Sequence, residues 1–422
     1  MEHQKRKIKI LMLGTRDIHL AGHVMDNYNR VPEDLFEKKM IVLESCKKKE
    51  PYAFFYRESF WYKIRKKMFL KFHSFFRWVK FGTIVDKNKS EFCFYSFDDE
   101  CKNANNILAK CKDFIPDVIS VHWVAGFVSS KTIRDLYELT RAHFVLFFVD
   151  EAPLSGGCHY HCDCEQYLFE CQNCPVLKRG KKIAHIQMQN KIANLSDIPM
   201  TIIGSPYDME KAKETIVYKN ADIINSVPCP NVIEFPRDVA RKDFNINEKD
   251  FVIFVGASNL HDKRKGLEYS LDALKLFSKG KENVAILICG KEYLDASLFG
   301  NVRVIQPGFL DKKGMCKAFC ACDVFLSSTI ADSGPMMVNY SFMLGVPVVS
   351  FDLGIARTLI KHKKTGFLAK YKDSRSLKEG IDFIYGMNKT ERESMREHIV
   401  NSIKKYIDTP KWYDLIYQKI GD

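Results

Sequence analysis

Short runs of apolar, largely β-branched residues recur along this chain with helical stretches between them. That alternation limits the fold more than any other feature of the sequence. Such runs suit parallel strands buried on both faces, because a strand with one wet face would alternate apolar with polar residues. A first series comprises Ile8–Leu13, Met40–Leu43, Val118–Trp123, His143–Val149, Met200–Ile203 and Asp222–Val227. A second comprises Phe251–Val255, Val284–Cys289, Val302–Ile305, Asp323–Leu326 and Val346–Phe351. Between them Pro228, Pro230, Pro236 and a charged stretch mark a boundary. The pattern predicts two doubly wound α/β domains facing each other across a cleft at the carboxyl ends of their strands, where ligands bind in such sheets. The expected limits are 1–227, with a cysteine-rich insertion at 155–178, a linker at 228–250, and a second domain at 251–400. The remainder, 401–422, is expected to pack back on the first domain through Trp412, Tyr413, Leu415, Ile416 and Tyr417.

Composition removes the competing classes. At roughly 150 residues per domain, 422 residues allow two or three domains. A chain that is 46% hydrophobic carries too much apolar side chain for disorder, and its scattered 22 Gly and 14 Pro exclude collagen-like repeats. No stretch reaches the roughly 18 consecutive apolar residues of a membrane span. Met1–Lys9 is charged and lacks the apolar core of a signal peptide, so a reducing cytoplasm is the expected compartment.

The 65 Lys and Arg exceed the 52 Asp and Glu by 13, and the excess is local. Residues 54–81 hold Arg57, Lys63, Arg65, Lys66, Lys67, Lys71, Arg77 and Lys80 against Glu58 alone, a net of seven. On a helix, Trp61, Ile64, Met68, Phe72, Phe75 and Val79 form one apolar stripe. A basic helix with Trp and Phe on its apolar side suits the interface of an anionic membrane; the alternative is a stripe packed on its own domain. No nucleic-acid motif accompanies the charge, so nucleic acid is not an expected partner.

Five of the fourteen cysteines fall within Ser155-Gly-Gly-Cys-His-Tyr-His-Cys-Asp-Cys164 and Cys171-Gln-Asn-Cys174. Cys171-x2-Cys174 has the spacing of half a structural zinc site, and Cys158 with Cys164 is the expected other half. His159, His161 and Cys162 are further candidates. Buried free thiols are the alternative. Four protein ligands would leave zinc no open position, so no catalytic metal is expected.

Two loops in the second half suit a diphosphate. Gly256-Ala-Ser-Asn-Leu-His-Asp-Lys-Arg-Lys-Gly266 follows a strand and precedes an amphipathic run, Leu267 to Phe277, and sets Lys263, Arg264 and Lys265 at a strand-to-helix turn. Asp332-Ser-Gly-Pro-Met-Met-Val338 begins another helix, whose first amides can take phosphate oxygens while the acid takes sugar hydroxyls or merely caps the helix. Elsewhere, His122 ends a buried strand as a core histidine or an acceptor-side base. Asp150 orients a sugar or ends a strand, and Gly22 admits a ligand or only turns the chain.

Lys265-Gly266, the Asp332-Ser-Gly-Pro loop, Gly345-Val-Pro-Val-Val-Ser-Phe-Asp352 and Lys364-Thr-Gly-Phe-Leu368, in that order, resemble family-four retaining glycosyltransferases of the GT-B fold, which pairs two Rossmann-like domains. His122-Trp123 and Asp150-x2-Pro-Leu-Ser-Gly-Gly-Cys-His-Tyr160, followed by Cys164, Cys171 and Cys174-Pro, are similar to the bacterial subgroup that builds colanic acid, capsules and related exopolysaccharides. The resemblance implies transfer of a sugar from a nucleotide diphospho-sugar to a glycan or lipid-linked glycan, with a peripheral position at the inner membrane face. It gives Lys265, helped by Arg264, the diphosphate; Asp332 the donor sugar; and Gly256, Gly334, Pro335, Met336, Met337 and Tyr340 the surroundings of the donor. His122 and Asp150 fall on the acceptor side. The chain departs from the pattern where Tyr340 replaces a ribose-binding glutamate, Val149 a histidine, and Gly354-Ile355 a double glycine. Those departures leave open a catalytically weakened subunit of an assembly complex.

Overall fold

The apolar runs form two open parallel sheets in a computed structural model, which describes residues 6–17, 23–46, 52–82, 84–85, 95–98, 101–179, 181–299, 302–408 and 410–421. Gly22 lies outside them. The chain divides into two compact units: Met1–Gly204 with Asp208–Asn225 and Pro410–Asp422, and Ser205–Tyr207 with Ser226–Thr409.

The first unit holds β1 (Ile8–Arg16), β2 (Phe36–Ser45), β3 (Ala53–Arg57), β4 (Ile84–Val85), β5 (Val118–Val121), β6 (His143–Phe147), β7 (Leu177–Arg179), β8 (Met200–Gly204) and β9 (Asp222–Asn225). Seven make one sheet in the order β3-β2-β1-β5-β6-β8-β9, and β4 and β7 pair apart from it. Every pairing in the large sheet is parallel. The pleat sends alternate residues into two cores, which is why the central strands are mostly apolar. Leu11, Leu13, Ile119, Val121, Phe144 and Leu146 enter one core. Ile10, Met12, Val118, Val145 and Phe147 enter the other. The helix Trp412–Ile420 closes that second core: Ile416 is buried, Trp412 stands edge-on to Phe147 at 5.2 Å, and its Nε1 donates to Asn27 Oδ1 at 2.7 Å.

The second unit holds β10 (Phe251–Gly256), β11 (Val284–Cys289), β12 (Arg303–Gly308), β13 (Val324–Ser327), β14 (Val348–Phe351) and β15 (Gly366–Ala369), ordered β12-β11-β10-β13-β14-β15. In both sheets the order reverses beside the first strand, between β1 and β5 and between β10 and β13. Such switch points leave a crevice beyond the strand ends.

Two expected boundaries shift. Residues 228–250 are no free linker, because the helix Arg237–Asp243 inserts Arg241 into the second unit. A buried guanidinium must satisfy its donors. Arg241 reaches the carbonyls of Ala321, Asn247, Glu248 and Asp250, and Asp323 Oδ2 at 2.9 Å. Residue 401 falls inside Lys389–Ile407, a single helix of the second unit that opens on an Asn388–Glu391 capping box and buries Met395, Ile399 and Ile403. The chain re-enters the first unit at Pro410.

His143, at the start of β6, titrates abnormally. Burial, with the Lys419 charge adding and Asp222 opposing, pushes its pKa down to about 4. An unfolded chain binds this proton near pH 6.5 and the folded one does not, so folding stability falls as pH drops from 6.5 toward 4. The variant His143→Gln will show a flatter loss over that window in denaturant titrations.

Candidate functional site

The second unit's switch point brings together the two phosphate-side loops read from sequence. After β10 the chain runs into a tight turn, Lys263–Lys265, and Gly266 starts the helix Leu267–Ser278 with φ +57°. Only glycine serves there: a Cβ would meet the Ser328 carbonyl oxygen at 2.1 Å. The Arg264 carbonyl accepts the amides of Ile330 at 2.8 Å and Ala331 at 3.4 Å, joining this turn to the loop after β13. Ser328 Oγ donates to the Lys265 carbonyl at 3.0 Å.

The stitching sets Lys265 Nζ 2.5 Å from Asp332 Oδ2. Burial alone would raise the Asp332 pKa, but the Lys265 charge and hydrogen bond, the Gly334 amide and the Arg264 charge outweigh it and hold the carboxyl below its ordinary value. Asp332 is not a helix cap. Its Oδ1 accepts the Gly334 amide at 3.0 Å, while Pro335 holds the N-cap position of Met336–Met343. The Met337 methyl lies over Gly256, where a built Cβ would approach it to 3.1 Å. Gly354, at φ +55°, lets the loop after β14 reach the Asp332 carbonyl, which a Cβ would meet at 2.6 Å. Arg264 makes its own ion pair nearby: its Nη2 donates to Asp262 Oδ2 at 2.6 Å. Tyr340 stands parallel to Phe319 with centroids 6.4 Å apart.

In the first unit, Thr15 near the end of β1 and His122-Trp123 after β5 flank the switch point, tied by the Thr15 amide to the Trp123 carbonyl at 2.8 Å. His122 is buried, stacked on Phe147 at 4.4 Å, with Nε2 at 3.1 Å from Ser120 Oγ. Asp150 serves other protein groups. Its Oδ2 accepts from Trp123 Nε1 at 2.7 Å and His159 Nδ1 at 2.6 Å, and its Oδ1 from the Ala152 amide at 2.9 Å. His159 Nε2 faces Ser96 Oγ in hydrogen-bond contact. Lys191 Nζ donates to the carbonyls of Ala152 at 2.7 Å and Ser155 at 2.6 Å. These side chains line one cavity together with Tyr218 and apolar residues that include Phe97 and Leu146. Val149, also on the cavity wall, packs against the second core. Sequence reasoning missed Ser96 and Lys191, far from any motif, and set His159 among the metal candidates; its place in the Gly-Gly-Cys-His-Tyr motif was the available signal.

The four cysteines expected to hold zinc, Cys158, Cys164, Cys171 and Cys174, all lie in the first unit. Among the described residues, no group of three or more His, Cys, Asp or Glu is disposed to hold a metal ion. Cys171 and Cys174 are buried in the first core, and the Gly156 amide donates to Cys171 Sγ at 3.3 Å. Burial, with the charges of Cys174 and Cys164 adding, pushes the Cys171 thiol up to about 11. Cys158 and Cys164 stay half-buried. His159 is bound to Asp150, and His161 stacks on Tyr167 at 4.5 Å.

The basic segment divides. Residues 53–57 form β3, and only Phe60–Phe81 is helix, capped by Ser59 and by Gly82 at φ 60°. One face is tethered to buried Glu44, which accepts from Tyr62 at 2.8 Å and from Arg16 at 3.1 Å and also binds Lys66. Those partners outweigh the burial that works against its charge and hold its carboxyl below the ordinary range. The apolar stripe lies bare: Trp61 is 73% exposed, Met68 65% and Phe72 60%. Among the described residues, no helix is long and apolar enough to cross a membrane.

Residues 236–405 match the family model described as "Glycosyl transferases group 1". The match falls within the second unit. A Klebsiella pneumoniae protein described as an uncharacterized 41.2 kDa protein in the cps region is 25% identical over 234 residues, 54% of this chain and 63% of its own length. A phosphatidyl-myo-inositol mannosyltransferase of Mycobacterium leprae is 29% identical over 135 residues, 31% of this chain and 36% of its own. The chain thus spans less than two thirds of the length of either curated relative. Sucrose-phosphate synthase from Thermosynechococcus elongatus superposes with a TM-score of 0.63 at 12% identity, covering 99% of this chain and 96% of that one. Anabaena HepE in complex with UDP and glucose gives 0.58 at 14% identity, covering 98% of each chain. WaaG, a glycosyltransferase involved in lipopolysaccharide biosynthesis, gives 0.56 at 12%, covering 97% of this chain and 98% of its own. At such identities these structures establish a shared fold, the GT-B pair of Rossmann-like α/β domains.

Proposed function

We propose that the protein is a glycosyltransferase that moves a sugar from a nucleotide diphospho-sugar to a glycan acceptor in the assembly of a surface polysaccharide, with retention at the anomeric carbon and in the manner of the exopolysaccharide subgroup. The Lys265–Asp332 pair at the second unit's switch point carries the reading. A leaving diphosphate develops negative charge, and a lysine ammonium already fixed at a strand-to-helix turn stabilises that charge without reorganisation. Asp332, kept ionised, would release Lys265 to the phosphate and turn to the sugar hydroxyls, with the Gly334 amide holding it in place. The family domain, the likeness to a protein of the cps region and the fold shared with a UDP complex support this reading. The acceptor side falls to the first unit, where Trp123, His122 and Asp150 line one cavity.

The helix Phe60–Phe81 would hold the enzyme on an anionic lipid surface where a lipid-linked acceptor waits. It contains no acid and displays Trp and Phe beside lysines, and electrostatic attraction adds about 1 kcal/mol per Lys or Arg near such a surface. Replacement of an expected glutamate by Tyr340 favours a second reading, a weakened glycosyltransferase-fold subunit that keeps the architecture without turnover.

Calorimetry with a panel of UDP- and GDP-sugars tests the transferase. At least one donor is expected to bind, and Lys265→Ala to weaken it tenfold or more with an unchanged melting temperature; a folded protein that binds none, or equal binding by the variant, refutes the reading. Sedimentation with vesicles tests the membrane position. Vesicles rich in phosphatidylglycerol should capture the protein at low salt and lose it at high salt, neutral vesicles should not, and Trp61→Glu with Phe72→Glu should abolish capture.

A further inference from the structure

We propose that Ser96, His159 and Asp150 form a nucleophilic relay that hydrolyses a short acyl ester, a second activity in the cavity read above as the acceptor side and one that does not use the donor site. Asp150 Oδ2 lies 2.6 Å from His159 Nδ1, and a carboxylate there accepts the Nδ1–H of the tautomer whose Nε2 lone pair accepts from Ser96 Oγ. The indole of Trp123 and the Ala152 amide hold the carboxylate from two further directions, so its orientation toward His159 is fixed. His159 and Asp150 are nearly inaccessible, at 2% and 7% side-chain exposure. Ser96 is held by its backbone, whose amide donates to the Gly157 carbonyl at 2.9 Å and whose carbonyl accepts from Gln187 Nε2 at 3.3 Å.

The relay lines a cavity. Phe97, Val124, Val128 and Leu146 give it an apolar wall suited to a small acyl chain, while Trp123 gives an aromatic face suited to the alcohol part of a sugar ester. Lys191 reaches the same cavity. Its ammonium has three N–H groups, and the carbonyls of Ala152 and Ser155 engage two, leaving a donor for an oxyanion.

In the reaction Ser96 Oγ attacks the acyl carbonyl carbon and its proton passes to His159 Nε2, while the carbonyl electron pair moves onto oxygen. Collapse breaks the ester C–O bond, and the departing alkoxide takes the proton from His159. Water then adds to the acyl-serine with His159 accepting its proton, and the second collapse returns that proton to Ser96 Oγ and frees the carboxylic acid. The balance is ester plus water to acid plus alcohol, with no redox change and no further reactant.

The test is labelling of the purified full chain with a fluorophosphonate, followed by peptide mass mapping, together with hydrolysis of p-nitrophenyl acetate. One adduct on Ser96 is expected, absent after heat denaturation. Ser96→Ala should abolish both signals, and Asp150→Asn should slow labelling about a hundredfold or more. Mapping of the unaltered protein needs no variant to fold. No adduct in the folded chain, an adduct on another serine, or hydrolysis that survives Ser96→Ala overturns the proposal and leaves the three residues as a brace for the cavity wall.

Discussion

The Arg264 carbonyl, by accepting two amides of the loop after β13, fixes the contact on which the candidate donor site depends. Sheet order alone leaves a crevice between β10 and β13, but a crevice lined by loose loops would hold no charge in register. The shared carbonyl and the Gly266 turn bring the lysine of one loop to the carboxylate of the other. A side chain at Gly266 would drive into the Ser328 carbonyl and part them. The ion pair is thus a product of backbone geometry.

Parallel strands buried on both faces were legible because the residues of such a strand are mostly apolar, a pattern that needs no tertiary context. The same logic failed for β3, Ala53–Arg57, whose aromatic and basic residues lie at the sheet edge and read as the start of the helix that follows. It failed again at Arg237–Asp243, where prolines and charges gave the composition of a linker. The decisive fact there, a guanidinium satisfied by four carbonyls and a carboxylate, exists only after folding. The loops at Lys265 and Asp332 were read in sequence as parts of one donor site. Their convergence depended on a strand order that sequence spacing does not encode.

Residues between Cys158 and Cys174 carry a different lesson. Cysteine spacing pointed to a metal; in the fold Cys171 and Cys174 enter the core, and the adjacent histidines turn to Asp150 and Tyr167. What the segment builds is a polar wall: Gly156 and Gly157 approach neighbouring backbone and Tyr95 too closely for any Cβ, and their carbonyls hold Gln187 and the backbone of Ser96. Glu44 plays the equivalent part for the basic helix. One buried carboxylate fastens Tyr62 and Lys66, one turn apart, and thereby leaves the aromatic side of the helix bare.

The central claim, that a nucleotide diphospho-sugar lodges at the switch point of the second unit, is tested most directly by hydrogen–deuterium exchange of the full chain with and without the donor sugars. Bound donor is expected to slow exchange in residues 262–268 and 328–338 together, since one diphosphate would bridge both loops. Protection of neither segment by any donor, or of a region elsewhere alone, would contradict the account.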